Sequence, residues 1–222
     1  FVINLESATD RWEHYKNDDR FTRWEAIHHK NLTDNEPLID HMVSYWNIDP
    51  LEHRAKCACF LSHTSLYHHI VDNHLSDVLI LEDDAEIVGD LPDKSILPQD
   101  GFTYFGGFSS NVRLTEGPQK VEFEEGINKI DHQKYRMLTT VAIYIPNPLV
   151  AFKMLQACEE RGRPRAIDTM LKYTKRDQYV LFPAPVIERR CDSQIRKGKR
   201  NKFHNEYFYK WHRGNELYEW KA

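Results

Sequence analysis

Three consecutive acids, Glu82, Asp83 and Asp84, directly follow the aliphatic run Val78-Leu79-Ile80-Leu81. A short continuous run of this kind predicts a strand buried on both faces. In open α/β sheets, ligands bind beyond the carboxyl ends of the strands, so these acids are expected at the functional edge. With a two-residue strand period, Glu82 and Asp84 would face one side and Asp83 the other, so Glu82 and Asp84 could share one hard divalent cation. An octahedral Mg2+ or Mn2+ held by two carboxylates keeps positions open for water or substrate, and a diphosphate fills them well. The competing reading is that the acids only end the strand. Adjacent carboxylates repel unless a cation or a basic partner offsets them, which favours a site.

The elements that position these acids alternate in type, as in an α/β domain with a largely parallel sheet. Strands are predicted over 1–5, 21–27, 77–81, 102–105, 139–146 and 179–182. Helices are predicted over 10–17 with Asp10 as cap, over 54–74, over 147–160, and from about Asp168. Residues 91–101 read as a surface connection, and 109–133 as loops with a β-hairpin. Pro183 and Pro185 break the last strand. Of 222 residues, 41% are hydrophobic, enough for one sizeable core and one domain. The longest purely aliphatic stretch is far short of the roughly 20 residues of a membrane span. The chain opens on Phe1 within an apolar run, so it is expected to be a piece of a longer chain, with any targeting signal outside it.

The net charge of −4 argues against a nucleic-acid coat. Its distribution is uneven: residues 189–202 hold seven bases (Arg189, Arg190, Arg196, Lys197, Lys199, Arg200, Lys202) against Asp192 alone. That stretch is either a solvated basic tail or a seat for something anionic. Four cysteines are too few for a disulfide scaffold in a chain of this length, which favours a reducing compartment. Cys57, Cys59, His63, His68 and His69 cluster, but helical residues two apart point about 200° away from each other, so Cys57 and Cys59 cannot share a metal and structural zinc is not expected. Asn31-Leu32-Thr33 is a weak glycosylation signal.

The segment Phe60-Leu61-Ser62-His63-Thr64-Ser65-Leu66-Tyr67, followed by the VLILEDD run from Val78 to Asp84, closely resembles the core of family-25 glycosyltransferases. These include bacterial lipooligosaccharide galactosyltransferases, animal collagen galactosyltransferases and related enzymes of large DNA viruses. Val2-Ile3-Asn4-Leu5 with Arg11 resembles the family's opening signature, and Thr139 to Ile145 its later strand. Ala166-Ile167-Asp168 is similar to a P-x-D-like element, with Ala166 departing from it, and Pro183 to Ser193 resembles the closing segment. The resemblance implies a single GT-A domain over 1–195, a mostly parallel sheet flanked by helices, with a basic and aromatic extension over 196–222.

It further implies an inverting, metal-dependent transfer of a hexose from a UDP-sugar to a glycan or protein-linked hydroxyl, with UDP-galactose and UDP-glucose as first candidates. Mn2+ or Mg2+ would be held by Asp84 and Glu82. Asn4, Leu5, Arg11, Glu82, Asp83, Gly107 and Ser193 would contact the donor, Arg189, Arg190 and Arg196 would approach its diphosphate, and His204 or His212 would complete the metal shell. Asp168 is the candidate base by analogy; its alternative is an N-cap of the helix that follows. His63 reads as a structural or ribose-edge residue. Gly106-Gly107 allows a close backbone approach to a ligand or simply a tight turn. The expected partners are a nucleotide-sugar donor and a glycan or glycoprotein acceptor, with no nucleic acid and no membrane span; the oligomeric state is open. The expected place is the cytoplasm, of the host if viral, or the ER lumen for a collagen-modifying homologue. A metal-dependent phosphohydrolase would need more acids and histidines at other strand ends. A glycosidase needs carboxylates facing each other across a cleft, which adjacent acids on one strand are not. A non-catalytic module would bind nucleic acid or glycan through the basic, aromatic C-terminal stretch.

Overall fold

The VLILE run forms the strand its composition predicts, and the remaining elements arrange around it. The computed structural model describes residues 1–32, 50–106, 123–131, 140–160, 166–172 and 177–189. The strands are β1 (Val2–Asn4), β2 (Arg23–Glu25), β3 (Val78–Glu82), β4 (Ala85–Ile87), β5 (Phe102–Gly106), β6 (Gly126–Lys129), β7 (Ala142–Ile145), β8 (Gln178–Phe182) and β9 (Val186–Glu188). The helices are α1 (Thr9–Trp12), α2 (Pro50–Asp72), α3 (Pro148–Glu160) and α4 (Ile167–Lys172). Seven strands form one sheet in the order β2-β1-β3-β7-β5-β8-β6. β1 pairs in parallel with both β2 and β3, and β5 with β8. β7 runs antiparallel to β3 and β5, and β6 antiparallel to β8. Five of the seven strands thus point the same way, and the chain is an α/β domain consistent with the GT-A-like expectation. Among the described residues no helix is long and apolar enough to cross a membrane.

Strand alternation divides the core between the two faces of the sheet. Ile3, Ile80, Phe102, Tyr104, Ile143, Ile145 and Val180 pack under α2, α3 and α4. Leu66, Tyr67 and Ile70 of α2 recur at helical spacing and are fully buried there, beside Met154 of α3 and Met170 of α4. On the other face Val2, Leu81, Ala142, Tyr144 and Phe105 pack against Tyr15, Leu97, Ala85 and Val186. The start of α3 is fixed by Asn147, whose side-chain oxygen accepts from the Val150 N–H.

Three expectations need correction. Asp10 does not cap α1; Ala8 occupies that position and Asp10 lies in the first turn, because the chain closes through the bonds Ala8 N–H to Leu5 O and Trp12 N–H to Ala8 O. β6, inside the span read as loops with a hairpin, is a strand of the main sheet and pairs with the distant β8, while 107–122 and 132–139 lie outside the described residues. Beyond the acids and beyond the prolines lie two strands the periodicity does not reveal: β4 and β9 form a separate antiparallel ribbon, Ala85 opposite Glu188 and Ile87 opposite Val186. Three residues carry too little pattern to read as a strand, and their pairing joins distant parts of the chain. Residues 190–222, including the extension over 196–222, lie outside the described residues.

Gly106 ends β5 where β9 crosses it. A Cβ there would stand 2.6 Å from the Val186 carbonyl oxygen and 3.1 Å from its Cβ. Gly106→Ala is therefore expected to cost about 1–3 kcal/mol through overpacking, read as a lower denaturant midpoint. An unchanged midpoint would mean that β9 does not press on β5.

Candidate functional site

The site grows out of the sheet edge where β1 and β3 end side by side, Ile3 lying opposite Glu82. The reversed β7 starts at that same edge, and the Glu82 N–H bonds to Val141 O at 3.0 Å. An antiparallel neighbour thereby brings Thr140 beside the last residue of β3. From α4, Asp168 reaches the same point.

The three acids are treated differently. Asp83 is held on both oxygens: Asn4 Nδ2 donates to Oδ2 at 2.9 Å and Arg11 Nη1 to Oδ1 at 2.5 Å. Both members of the Arg11–Asp83 pair are close to nine-tenths buried. Asn4 also donates to Ala8 O, so its amide group is used inside the protein. Arg189 donates from Nη2 to Asp83 O at 2.5 Å and from its backbone N–H to Asp84 O at 2.6 Å, while its guanidinium lies 5.5 Å from the Tyr15 ring centre. The Tyr15 hydroxyl donates to Ala85 O. The acidic turn is thus clamped from β1, α1, the Tyr15 turn and the residue after β9.

Glu82 points the other way. Its Oε1 lies 2.5 Å from Thr140 Oγ1 and 3.4 Å from His63 Nε2. Thr140 Oγ1 is also 2.9 Å from Asp168 Oδ1, and the Thr140 N–H donates to that oxygen at 3.2 Å. A hydroxyl has one proton and can donate to only one of these carboxylates. Burial and then the charge on Glu82 push Asp168 up to about 6, against the bonds from Thr140 and the influence of His63. Burial alone would raise Glu82, but the neighbouring His63 first, then Thr140 and Arg11, bring it below its ordinary value. Of the two carboxyls that share Thr140, Asp168 is therefore the one that holds a proton longer. The alternative N-cap role for Asp168 does not survive: it sits inside α4, and its bonds go to Thr140.

Asp84 has no such support. Its Oδ1 is buried without a partner. Burial, followed by the charges of Glu82, Glu188 and Asp83, drives its carboxyl well above the usual range, with Arg11 opposing. A pocket opens here, with about 690 Å3 of space between its walls when its open mouth is included. Leu5, Arg11, Glu82, Asp83 and Asp84 line it, together with Ala26, Ile27, His29, Ala55 and Ala58. Asp168 is not among the lining residues. Gly107, Ser193, Arg190, Arg196, His204 and His212 lie outside the described residues.

Ser62 ties α2 to the exit of β2: its Oγ donates to Ala58 O and accepts from the Ile27 N–H at 2.8 Å. Cys57 is fully buried against Leu32 and Ala58, so the spacing argument against a Cys57–Cys59 metal pair holds. That argument passed over Cys59 and His63, which are four apart and both reach Glu82. Burial, then the nearby carboxylates, raises the Cys59 thiol well above its ordinary value. Thr140 was legible only as part of a strand, and nothing in the sequence marks Tyr15 as a clamp.

Residues 1–96 match the model of glycosyltransferase family 25 (LPS biosynthesis protein). No curated protein matches the chain. The matched part holds β1, α1, α2, β3 and the whole acidic turn.

Two outcomes follow from the clamp and the proton. Arg11→Met leaves Asp83 buried with one of its two side-chain partners and is expected to cost about 3–5 kcal/mol, measured by chemical denaturation. Asp168 has a folded value of about 6 against an ordinary 3.8. Its ionisation therefore works against folding at neutral pH, a cost that disappears as pH falls through about 6 toward 3.8. Asp168→Asn is expected to raise the thermal midpoint at pH 7.5, with the gain shrinking toward pH 4. A gain independent of pH would contradict the proton assignment.

Proposed function

We propose that this chain is a glycosyltransferase, as the match of residues 1–96 to the family-25 model suggests, and that it moves a hexose from a UDP-sugar to a glycan or protein-linked hydroxyl, with inversion at the anomeric carbon. The observation that carries the reading is the buried, unpartnered Asp84 Oδ1 next to Glu82 on the pocket wall. Two oxygen donors that repel each other in a cavity of this kind suit a hard divalent cation. Glu82 and Asp84 would hold Mn2+ or Mg2+, which supplies Lewis-acid stabilisation of the departing diphosphate. Asp83 is occupied by Asn4 and Arg11, so its part is to fix the turn that presents the other two acids.

Leu5 and Arg11 border the pocket and would meet the nucleotide, and Arg189, bonded to the backbone of the turn, would add positive charge near the diphosphate. The apolar lining residues Ala26, Ile27, Ala55 and Ala58 would offer a flat base a surface to pack on. In a single displacement the acceptor oxygen attacks the anomeric carbon while the bond to the diphosphate breaks, and the acceptor proton goes to a base. Asp168, with a value near neutrality, is suited to that task. Because Asp168 does not line the pocket and is bonded to Thr140, the acceptor would approach from the Thr140 side of Glu82.

The test is thermal unfolding of the wild type and Asp84→Asn against a panel of nucleotide sugars, with and without Mn2+. A donor at about 100 times its dissociation constant adds roughly 2.7 kcal/mol, on the order of 5–10 °C for a domain of this size. The expected result is a shift for one or two UDP-sugars that needs Mn2+ and vanishes in Asp84→Asn, whose own ligand-free midpoint is no lower than wild type. A shift that persists without metal, or no shift with any nucleotide sugar, would overturn the reading.

A further inference from the structure

A second donor set converges between α2 and the acidic strand. One donor atom from each of Cys59, His63 and Glu82 lies within 4.8 Å of the other two. His63 is fully buried, and its Nε2 has no hydrogen-bond partner although it stands 3.4 Å from Glu82 Oε1. On the other side of the ring, Nδ1 faces the Tyr67 hydroxyl at 3.5 Å. With the proton on Nδ1 and shared with Tyr67, Nε2 would be free to bind a cation beside Cys59 and Glu82, the hydrogen bond fixing the ring as in other metal-binding imidazoles. Four-coordinate zinc, with bonds of about 2.0–2.3 Å, sets its ligand atoms roughly 3.3–3.8 Å apart. His63 and Glu82 already have that separation, and Cys59 needs only a side-chain adjustment.

We propose that Cys59, His63 and Glu82 form a site for a zinc-class divalent ion, separate in donor chemistry from the oxygen pair Glu82 and Asp84. Thiolate and imidazole select Zn2+ or Co2+, whereas carboxylate and water suit Mn2+ and Mg2+. All three residues border the pocket, so a fourth position faces its interior. Glu82 is common to both sets, and an ion bound by Cys59 and His63 draws it away from Asp84. Zinc thereby opposes donor binding supported by Mn2+. That last consequence rests on the function proposed above; the site itself does not.

The full chain, reduced and freed of metal, is titrated with Co2+ alone. The expected result is a thiolate-to-cobalt charge-transfer band in the near ultraviolet with intense four-coordinate visible bands, saturating at one equivalent, bleached by an equivalent of Zn2+ and not by an equivalent of Mn2+. Cys59→Ser is expected to lose the charge-transfer band while Cys158→Ser keeps it, and Glu82→Gln to weaken Co2+ binding by more than about tenfold. As a check that needs no variant, Zn2+ should protect Cys59 of the wild type from alkylation, mapped by mass spectrometry. No charge-transfer band, a band that survives Cys59→Ser, or alkylation of Cys59 unaffected by Zn2+ would overturn the site. A donor-induced thermal shift with Mn2+, measured in the absence of zinc, reports on the transferase reading separately.

Discussion

Three carboxylates in a row at one sheet edge repel each other, and most of the local structure is arranged around keeping them there. The solution is uneven. Asp83 is neutralised and pinned by Asn4 and Arg11, which removes one charge from the conflict and fixes the backbone on either side. Arg189 and Tyr15 then hold the carbonyls of Asp83, Asp84 and Ala85. With the turn rigid, Glu82 and Asp84 are left to project their charge, one supported by Thr140 and His63 and the other unsupported. A buried polar atom without a partner costs stability, and such costs collect where a protein binds something.

The ribbon of β4 and β9 has a clear physical purpose in this light. It has few residues and little core of its own, yet it carries Arg189 to the acidic turn and presses Val186 onto Gly106 of β5. Part of the positive charge that the sequence concentrates after residue 188 therefore meets the chain's own acidic edge. The anion it faces, at least through Arg189, is internal.

Thr140 links the two halves of the site. Because β7 runs against β3, its first residues land at the carboxyl end of β3, and one hydroxyl serves two carboxylates from β3 and α4. A parallel strand in that place would have delivered its carboxyl end instead. Burial and the charge of Glu82 raise Asp168 toward neutrality, while His63 and then Thr140 hold Glu82 below its ordinary value. Two acids of similar intrinsic strength acquire different chemical characters from their surroundings.

Much of this was legible in the residues alone. The VLIL run predicts its strand because a doubly buried segment must be continuously apolar, and Phe60, Tyr67, Ile70 and Val71 predict α2 because one helical face must be covered. The placement of Glu82, Asp83 and Asp84 at a functional edge follows from the same run. What the sequence could not show is pairing between distant segments: β4 with β9, Arg189 with the acidic turn, Thr140 with Asp168, and Cys59 and His63 with Glu82. Local periodicity reports which side of an element is apolar and nothing about its neighbour. Whether an acid is paired, protonated or left to bind a cation is decided by that neighbour, and so only by the tertiary structure.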